Sequence, residues 1–145
     1  GGIAKDGAKL VNVISNSTIA KITVVVGGSY GAGNYAMSGR AYKPRFMYSW
    51  PSAKISVMGG EQAAKTLTEI KISKMNNVDE KTKSKIFNEI KSTYDRQSDP
   101  RYAAARLWID EIIDPRDTRK IIIESLDIVS NEGEIPNATY GALQV

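Results

Sequence analysis

The feature of the sequence that most constrains the fold is an almost uniformly apolar, β-branched run at residues 22–26, followed at once by a glycine-rich turn at 27–33. Such a run is typical of a strand buried on both faces, as in a parallel sheet covered by helices. The turn leads into a short helix predicted over 34–38, which completes a strand–turn–helix unit. We therefore predict an α/β fold in which helices flank a layered sheet.

The rest of the chain repeats this alternation. Further strands are predicted at 46–50, where Pro51 ends the strand, and at 54–58. Helices are predicted from the apolar periodicity over residues 4–17, 61–72, 76–94, 101–108 and, opened by Asp114 and Pro115, to about 129. The 145 residues then divide into a core (1–70), a variable polar helix (71–97), C-terminal helices (98–130) and a polar tail (131–145).

The chain contains neither cysteine nor histidine. This excludes disulfides, thiol nucleophiles, Ser-His-Asp triads and metal sites built on Cys or His. A site for Mg²⁺ or Ca²⁺ made only of carboxylates is not excluded by composition, but no residues are singled out for one, so we predict no metal. Any chemistry must use the backbone, Lys, Tyr, Ser, carboxylates or a group carried by a partner.

Charge and hydropathy exclude two further classes of partner. The formal net charge is +4, and no dense basic stripe of the kind that nucleic-acid binding usually needs is present. No apolar run approaches the length that spans a bilayer. We therefore expect neither nucleic acid nor membrane as a partner, and the absence of Cys is consistent with a reducing compartment.

Several motifs compete for the glycine-rich turn. Residues 27–31 match the G-x-S-x-G nucleophile elbow, but the serine has no histidine base. Gly28 and Gly33 have P-loop spacing, yet Asn34 replaces the required lysine, and the dinucleotide pattern appears in reverse. A third interpretation is a strand-to-helix turn whose backbone N–H groups bind an oxyanion. A tight packing turn without a ligand explains the glycines equally well.

Two other stretches are weaker candidates. Met58-Gly59-Gly60 opens a helix, which favours a close strand–helix crossing, and Glu61 behind it is a candidate general base or a simple helix-dipole partner. Basic residues alternate with aromatic ones from 40 to 50. That pattern suits an anion or nucleotide surface, or a sheet edge with snorkelling bases.

Several long motifs then occur in one order: GIAKDGAK at 2–9, GGSYGAGNY at 27–35, GRAYKPRF at 39–46, WP at 50–51, ISVMGGEQAA at 55–64 and ARLW, IDP and DTR between 105 and 119. In these motifs the chain resembles the carboxyltransferase (β) subunits of biotin-dependent acyl-CoA carboxylases, and among them most of all the methylcrotonyl-CoA type. The resemblance is weakest over 71–97 and in the tail.

The resemblance implies a crotonase-like (ClpP-type) fold and a fragment of it. The chain is similar only to the C-terminal part of the second of two related carboxyltransferase domains. The first domain, which supplies most of the acyl-CoA site in the family, has no counterpart here, so the chain alone is expected to be inactive.

The resemblance also implies the site. The backbone of Gly31, Ala32 and Gly33 corresponds to an oxyanion hole for the ureido oxygen of biotin. The biotin, as carboxybiotin, is delivered by a carrier domain of a partner (alpha) subunit and supplies the carboxyl group moved to an acyl-CoA. Residues expected at the substrate or biotin are Ser29, Tyr30, Asn34, Tyr35, Met58, Gly59 and Gly60. A homo-oligomer of β subunits is implied, in a bacterial cytoplasm or, less favoured, a mitochondrial matrix.

Other functions remain open at this point. The acyl-CoA is expected to be 3-methylcrotonyl-CoA, but propionyl-CoA, geranyl-CoA or another acyl-CoA is possible. A crotonase-like hydratase or thioesterase would use Glu61 as its acid or base. A non-catalytic assembly module would need no ligand at all.

Overall fold

A computed structural model of the protein describes residues 2–75 and 77–133. The predicted tail therefore lies outside the described residues from position 134 onward, as does Asn76. The helices are α1 (Ile3–Asn16), α2 (Gly31–Ala36), α3 (Gly60–Ile72), α4 (Glu80–Gln97), α5 (Pro100–Ala104) and α6 (Thr118–Ser130). The strands are β1 (Ile22–Val25), β2 (Gly28–Tyr30), β3 (Phe46–Ser49), β4 (Lys54–Ser56) and β5 (Glu111–Ile112), and 3-10 turns occur at Arg40–Tyr42 and Pro115–Asp117.

The strands form two parallel sheets. In the larger sheet β3 lies between β1 and β5, with Val24 opposite Tyr48 and Ser49 opposite Ile112. In the smaller sheet β2 pairs with β4, and Ser29 lies opposite Ile55. Parallel strands need crossover connections, and helices supply these between β2 and later strands. The predicted α/β fold with flanking helices is confirmed.

The core is small and lies where the larger sheet meets α5 and β4. Its buried members are Val25, Met47, Ala53, Ala103 and Ile109. Partly buried Ile55, Ala104 and Ile112 pack against them.

The prediction that residues 22–26 are buried on both faces is wrong. Only Val25 is buried in β1, and Val26, which follows the strand, is 52% exposed. The reason is the position of β1 at an edge of the described sheet. The strand buried on both faces is the central one, β3, where Met47, Tyr48 and Ser49 are all buried.

Several predicted boundaries also differ from the observed ones. The glycine-rich turn contains strand β2, and α2 begins at Gly31 rather than at residue 34. The polar helix begins at Glu80, because the Asp79 carboxylate accepts a hydrogen bond from the N–H of Thr82 and caps it there. It continues to Gln97 instead of ending at residue 94.

The C-terminal half holds two further differences. Helix α5 ends at Ala104, four residues before the predicted end. Leu107 has a left-handed backbone conformation (φ 58°), which is incompatible with a right-handed helix at that position. The two-residue strand β5 was not predicted. Asp114 caps a 3-10 turn, and α6 itself begins at Thr118.

Helices α1 and α6 carry apolar faces that the described residues do not cover. Helix α1 buries none of its residues, and Ile3, Leu10 and Val13 are exposed. On α6 the side chains of Leu126 and Ile128 are about half exposed. Among the described helices none is both long and apolar enough to cross a membrane.

Buried hydrogen bonds attach α6 to the central strand. The Tyr48 hydroxyl lies 2.8 Å from Ser125 Oγ, and Ser125 Oγ donates to the carbonyl of Ile121. Because a serine has one hydroxyl proton, the Tyr48 hydroxyl is the donor of this pair. A second link joins Trp50 Nε1 to Thr118 Oγ1 at 2.9 Å.

We predict that Ser125→Ala destabilises the protein more than Tyr48→Phe. The alanine leaves a buried phenol without an acceptor, which costs about 1–3 kcal/mol, whereas the phenylalanine removes one hydrogen bond worth about 1 kcal/mol. Urea unfolding followed by fluorescence measures both. Ser130→Ala is the control, because Ser130 Oγ makes a similar local bond to Asp127 but is exposed. Equal destabilisation by all three variants would contradict this prediction.

A second prediction concerns pH. Arg116 donates to the Asp114 carboxylate from Nε at 3.0 Å and from Nη2 at 2.6 Å, and the backbone N–H of Arg116 donates as well. The side-chain hydrogen bonds from Arg116 are the main cause that lowers the pKa of Asp114 from 3.8 to about 2. Because folding lowers this pKa, the ionised carboxylate stabilises the fold above pH 3.8, and the contribution is lost as the pH falls towards about 2.

Arg116→Gln is expected to raise the Asp114 midpoint, measured by ¹³C NMR of the carboxyl carbon. It should stay below 3.8, because the backbone N–H at position 116 still donates. The pKa of Asp79, which is lowered by hydrogen bonds from Thr82, should not change and serves as the control. An Asp114 midpoint unaffected by the substitution would show that Arg116 does not control it.

Candidate functional site

The glycine-rich turn is shaped by a close approach of two backbone segments. Gly31, which follows β2 and begins α2, has a φ of +52°, a conformation that other residues adopt only with strain. A Cβ atom on Gly31 would lie 3.2 Å from the carbonyl oxygen of Val57, just after β4. Both the conformation and the contact therefore favour glycine at this position.

The amino end of α2 has no side-chain cap. Tyr30 occupies the N-cap position without donating or accepting a capping hydrogen bond. By contrast, Asp79, Asp99 and Asp114 each cap the helix or turn that follows them. The first N–H groups of a helix have no partner within it, and Ala32 and Gly33 in this turn are exposed. No side chain of the described residues therefore caps the amino end of α2.

The polar side chains of the turn hold it together. Asn34 Nδ2 donates to Ser29 Oγ at 2.7 Å, which ties α2 to β2. The N–H of Gly39 donates to the Asn34 carbonyl at 2.8 Å, and a Cβ on Gly39 would overlap the Asn34 side chain. Ser29 and Asn34 were predicted to contact a ligand, and in the structure they contact each other.

A cleft of about 380 Å³ lies beside this turn, and its lining is mostly apolar. Segments that are far apart in the chain meet there, from both sheets and from the loop before β5. The lining residues are Gly31, Asn34, Tyr35, Arg40, Ala41, Met47, Ile55, Ser56, Val57, Trp108 and Ile109. Three of the predicted site residues, Gly31, Asn34 and Tyr35, are thus brought together at the cleft.

Each of the two aromatic residues that line the cleft packs against a second aromatic ring. Tyr35, 48% exposed, packs edge-to-face on Tyr42 with ring centroids 5.9 Å apart. Trp108 makes a similar contact with Tyr102 at 6.0 Å. The guanidinium of Arg106 lies 3.3 Å from the centre of the Tyr102 ring, a cation–π contact that braces this aromatic pair.

The second glycine pair does not reach the cleft. Met58, Gly59 and Gly60 are half-buried, and none of them lines it. A Cβ on Gly60 would overlap the Asp95 carboxylate and would lie 3.3 Å from the Lys91 carbonyl, both on α4. The glycine therefore permits close packing of two helices, rather than the strand–helix crossing that the sequence favoured.

Among the described residues, one charged side chain lines the cleft, and no acidic cluster suited to a metal lies beside it. Arg40 lines the cleft, and its guanidinium lies 3.4 Å from the Asp110 carboxylate. Glu61, a candidate general base, instead pairs with Lys65 at 3.2 Å, and its side chain is 68% exposed. Within residues 2–75 and 77–133 no group of three or more acidic residues could hold a metal ion.

Sequence reasoning missed Trp108, Val57 and Met47 as parts of the site. Arg40 was noted only as one of several bases between aromatic residues. No local pattern marks these positions, because the cleft is assembled from segments that are far apart in the chain, such as those of Gly31 and Ile109.

The family described as carboxyl transferase domain matches residues 1–140 of the chain. The chain is 44% identical over 151 aligned positions to the biotin-dependent 3-methylcrotonyl-coenzyme A carboxylase beta1 subunit of Mycobacterium tuberculosis. It is 46% identical over 135 positions to the mitochondrial methylcrotonoyl-CoA carboxylase beta chain of Dictyostelium discoideum.

These alignments cover 100% and 90% of the chain but only 28% and 23% of the two relatives. The chain therefore spans about a quarter of the length of the curated relatives it matches. The relatives include bacterial and mitochondrial proteins.

Two solved structures have the same fold. The beta subunit of Pseudomonas aeruginosa geranyl-CoA carboxylase superposes with a TM-score of 0.81 at 39% identity, over 99% of this chain and 27% of that one. Transcarboxylase 12S, described as a hexamer with hydrolysed methylmalonyl-coenzyme A bound, gives a TM-score of 0.81 at 35% identity, over 100% of this chain and 27% of that one. With the match over residues 1–140, these similarities establish that the chain belongs to the carboxyl transferase domain family.

Proposed function

We propose that this chain forms one wall of the active site of a biotin-dependent acyl-CoA carboxyltransferase, with 3-methylcrotonyl-CoA as the thioester that is carboxylated. The observation that carries the proposal is the uncapped amino end of α2, with Ala32 and Gly33 exposed beside a mostly apolar cleft. Backbone donors in that position stabilise negative charge on an oxygen without any titratable side chain.

The residues of the turn fit the ureido oxygen of biotin. Beyond the neighbouring residues and the backbone of α2, no atom lies within 4 Å of a Cβ position on Gly33, so this side of the turn is open. Gly31 keeps the β4 backbone close behind the turn, so the donors are held by two packed segments. When bound, carboxybiotin supplies the carboxyl group and the base that removes a proton from the acyl group.

The chain's own contribution is to bind and to orient. The N–H groups of Ala32 and Gly33 would hold the ureido oxygen of the bound group and would stabilise negative charge on it. The carboxyl group that biotin supplies would be exchanged for a proton of the thioester carbon. Trp108 and the aliphatic lining exclude water, which would otherwise compete for the carboxyl group.

Under this proposal the acyl group is selected at Tyr35, because the half-exposed ring of Tyr35 lines the cleft.

The proposal includes a partner subunit that carries biotin and further copies of the β subunit that complete the site. A bacterial cytoplasm, with the mitochondrial matrix as the alternative, is the proposed compartment, since relatives of both origins match.

We predict that Ala32→Pro in the full-length protein lowers kcat for carboxyl transfer by about 10²–10³, as the loss of one oxyanion donor does elsewhere. Proline lacks the N–H but is sterically tolerated in the first turn of a helix. Binding of the acyl-CoA should be largely kept, because most of that site lies outside this turn. Steady-state kinetics and a separate CoA-binding assay measure the two effects.

Lys81→Pro is the matched control for this prediction. Lys81 is the second residue of α4, as Ala32 is of α2, and both residues are exposed. No residue of α4 lines the cleft, whereas Gly31, Asn34 and Tyr35 of α2 do. This variant should have wild-type turnover. Wild-type turnover in Ala32→Pro would instead remove the turn from the mechanism.

We also predict that Glu61→Gln leaves carboxyl transfer within about twofold of wild type, since exposed surface substitutions usually have small effects. A hydratase or thioesterase that used Glu61 as its acid or base would lose about 10²–10⁴ in rate. The exposure of Glu61 and its pair with Lys65 favour the first outcome. Assays with the acyl-CoA alone and with biotin present separate the two reactions.

A further inference from the structure

We propose that Arg40 is the anion-binding residue of the cleft and that it binds the carboxylate of the carboxylated ligand. This rests on the proposed function and adds to it a recognition site for the group that is transferred. Of the described residues that line the cleft, Arg40 alone carries a charge. A ligand with an apolar body and one anionic group therefore finds its only opposite charge there.

Arg40 is joined rigidly to the glycine-rich turn. It opens the 3-10 turn Arg40–Tyr42, and Gly39 before it is bonded to the carbonyl of Asn34 at 2.8 Å. The lack of a side chain at Gly39 lets this turn pack directly on Asn34. Arg40 is therefore tied through Gly39 to α2, the helix whose residues Asn34 and Tyr35 also line the cleft.

Asp110 is held by the backbone more firmly than by Arg40. The N–H of Met47 donates to Asp110 Oδ2 at 2.7 Å, whereas each contact between the guanidinium and the carboxylate is 3.4 Å long. A tight Arg–carboxylate pair has distances of about 2.7–2.9 Å. Asp110 thus positions the guanidinium without making short hydrogen bonds to it.

The guanidinium also keeps free donors. Its contacts with Asp110 use Nη1 and Nη2, and within the described residues Nε has no hydrogen-bond partner. The side chains of Arg40 and Asp110 are 42% and 37% exposed, so the pair is open to exchange with a ligand. A carboxylate that enters the cleft can share the guanidinium or replace Asp110 as its partner.

Two ligands of the proposed reaction carry such a carboxylate: the carboxylated acyl-CoA and carboxybiotin. The test compares matched pairs by isothermal titration calorimetry on the full-length protein. One pair is 3-methylcrotonyl-CoA and 3-methylglutaconyl-CoA, and the other is biotin and freshly prepared N-carboxybiotin. The members of each pair differ by one carboxylate. The dissociation constant of the uncarboxylated member, divided by that of the carboxylated member, is therefore a ratio that measures recognition of that group.

We expect wild-type protein to bind the carboxylated member of one pair about tenfold more tightly, as a hydrogen bond to a charged group allows. The pair that shows this preference identifies which ligand Arg40 recognises. Arg40→Gln should bring that ratio to about one and change the affinity for the uncarboxylated member by less than about twofold.

Asp110→Asn is expected to raise the ratio. The amide oxygen still accepts from the N–H of Met47, but no negative charge competes for the guanidinium. A gain of this kind cannot arise from misfolding. Arg101→Gln is the control, because Arg101 also lies 3.4 Å from a carboxylate, that of Asp99, but does not line the cleft. It should leave the ratio unchanged.

Three results would overturn the proposal. An unchanged ratio in Arg40→Gln removes Arg40 from ligand recognition. Equal affinities within both pairs in the wild-type protein exclude a carboxylate site but leave the proposed carboxyl transfer intact. If none of the four ligands binds, the proposed function itself fails, and this inference fails with it.

Discussion

Strand β3 is the element on which the rest of the structure depends, because it is hydrogen-bonded along both edges and buried on both faces. It pairs in parallel with β1 and β5, and three of its four residues are buried. The Tyr48 hydroxyl donates to Ser125 on α6, and the backbone of Met47 donates to Asp110. In a protein whose buried core is small, these directional bonds determine where α6 and the segment before β5 lie.

The cleft is a consequence of the same arrangement. Met47 contributes both to the core and to the cleft lining. The loop with Trp108 reaches the cleft because Asp110 is fastened to β3. On the opposite side, α2 is placed by the close approach of Gly31 to β4. The cleft is therefore lined by residues of both sheets, Met47 from the larger one and Ile55 and Ser56 from the smaller one.

The elements that sequence reasoning predicted well are those with strong local signals. The apolar runs of β1 and β3, the glycine-rich turn and helix α3 are where periodicity and composition placed them. The elements it missed depend on distant contacts. Strand β5 has two residues and exists because Ser49 offers it a partner, and the end of α5 depends on Leu107 in a left-handed conformation. Neither signal is present in the local sequence.

The sequence by itself determined the class of chemistry and the nature of the turn. Without His or Cys the chain is limited to the backbone, Lys, Tyr, Ser, carboxylates and delivered groups, and the glycines of 27–33 indicate a tight turn. Only the tertiary structure decided which glycines serve which purpose. Gly31 and Gly60 look alike in the sequence, yet one lies at the cleft and the other packs α3 on α4. The difference arises because a glycine's role depends on the atoms that approach its missing side chain, and these come from residues that are distant in the chain.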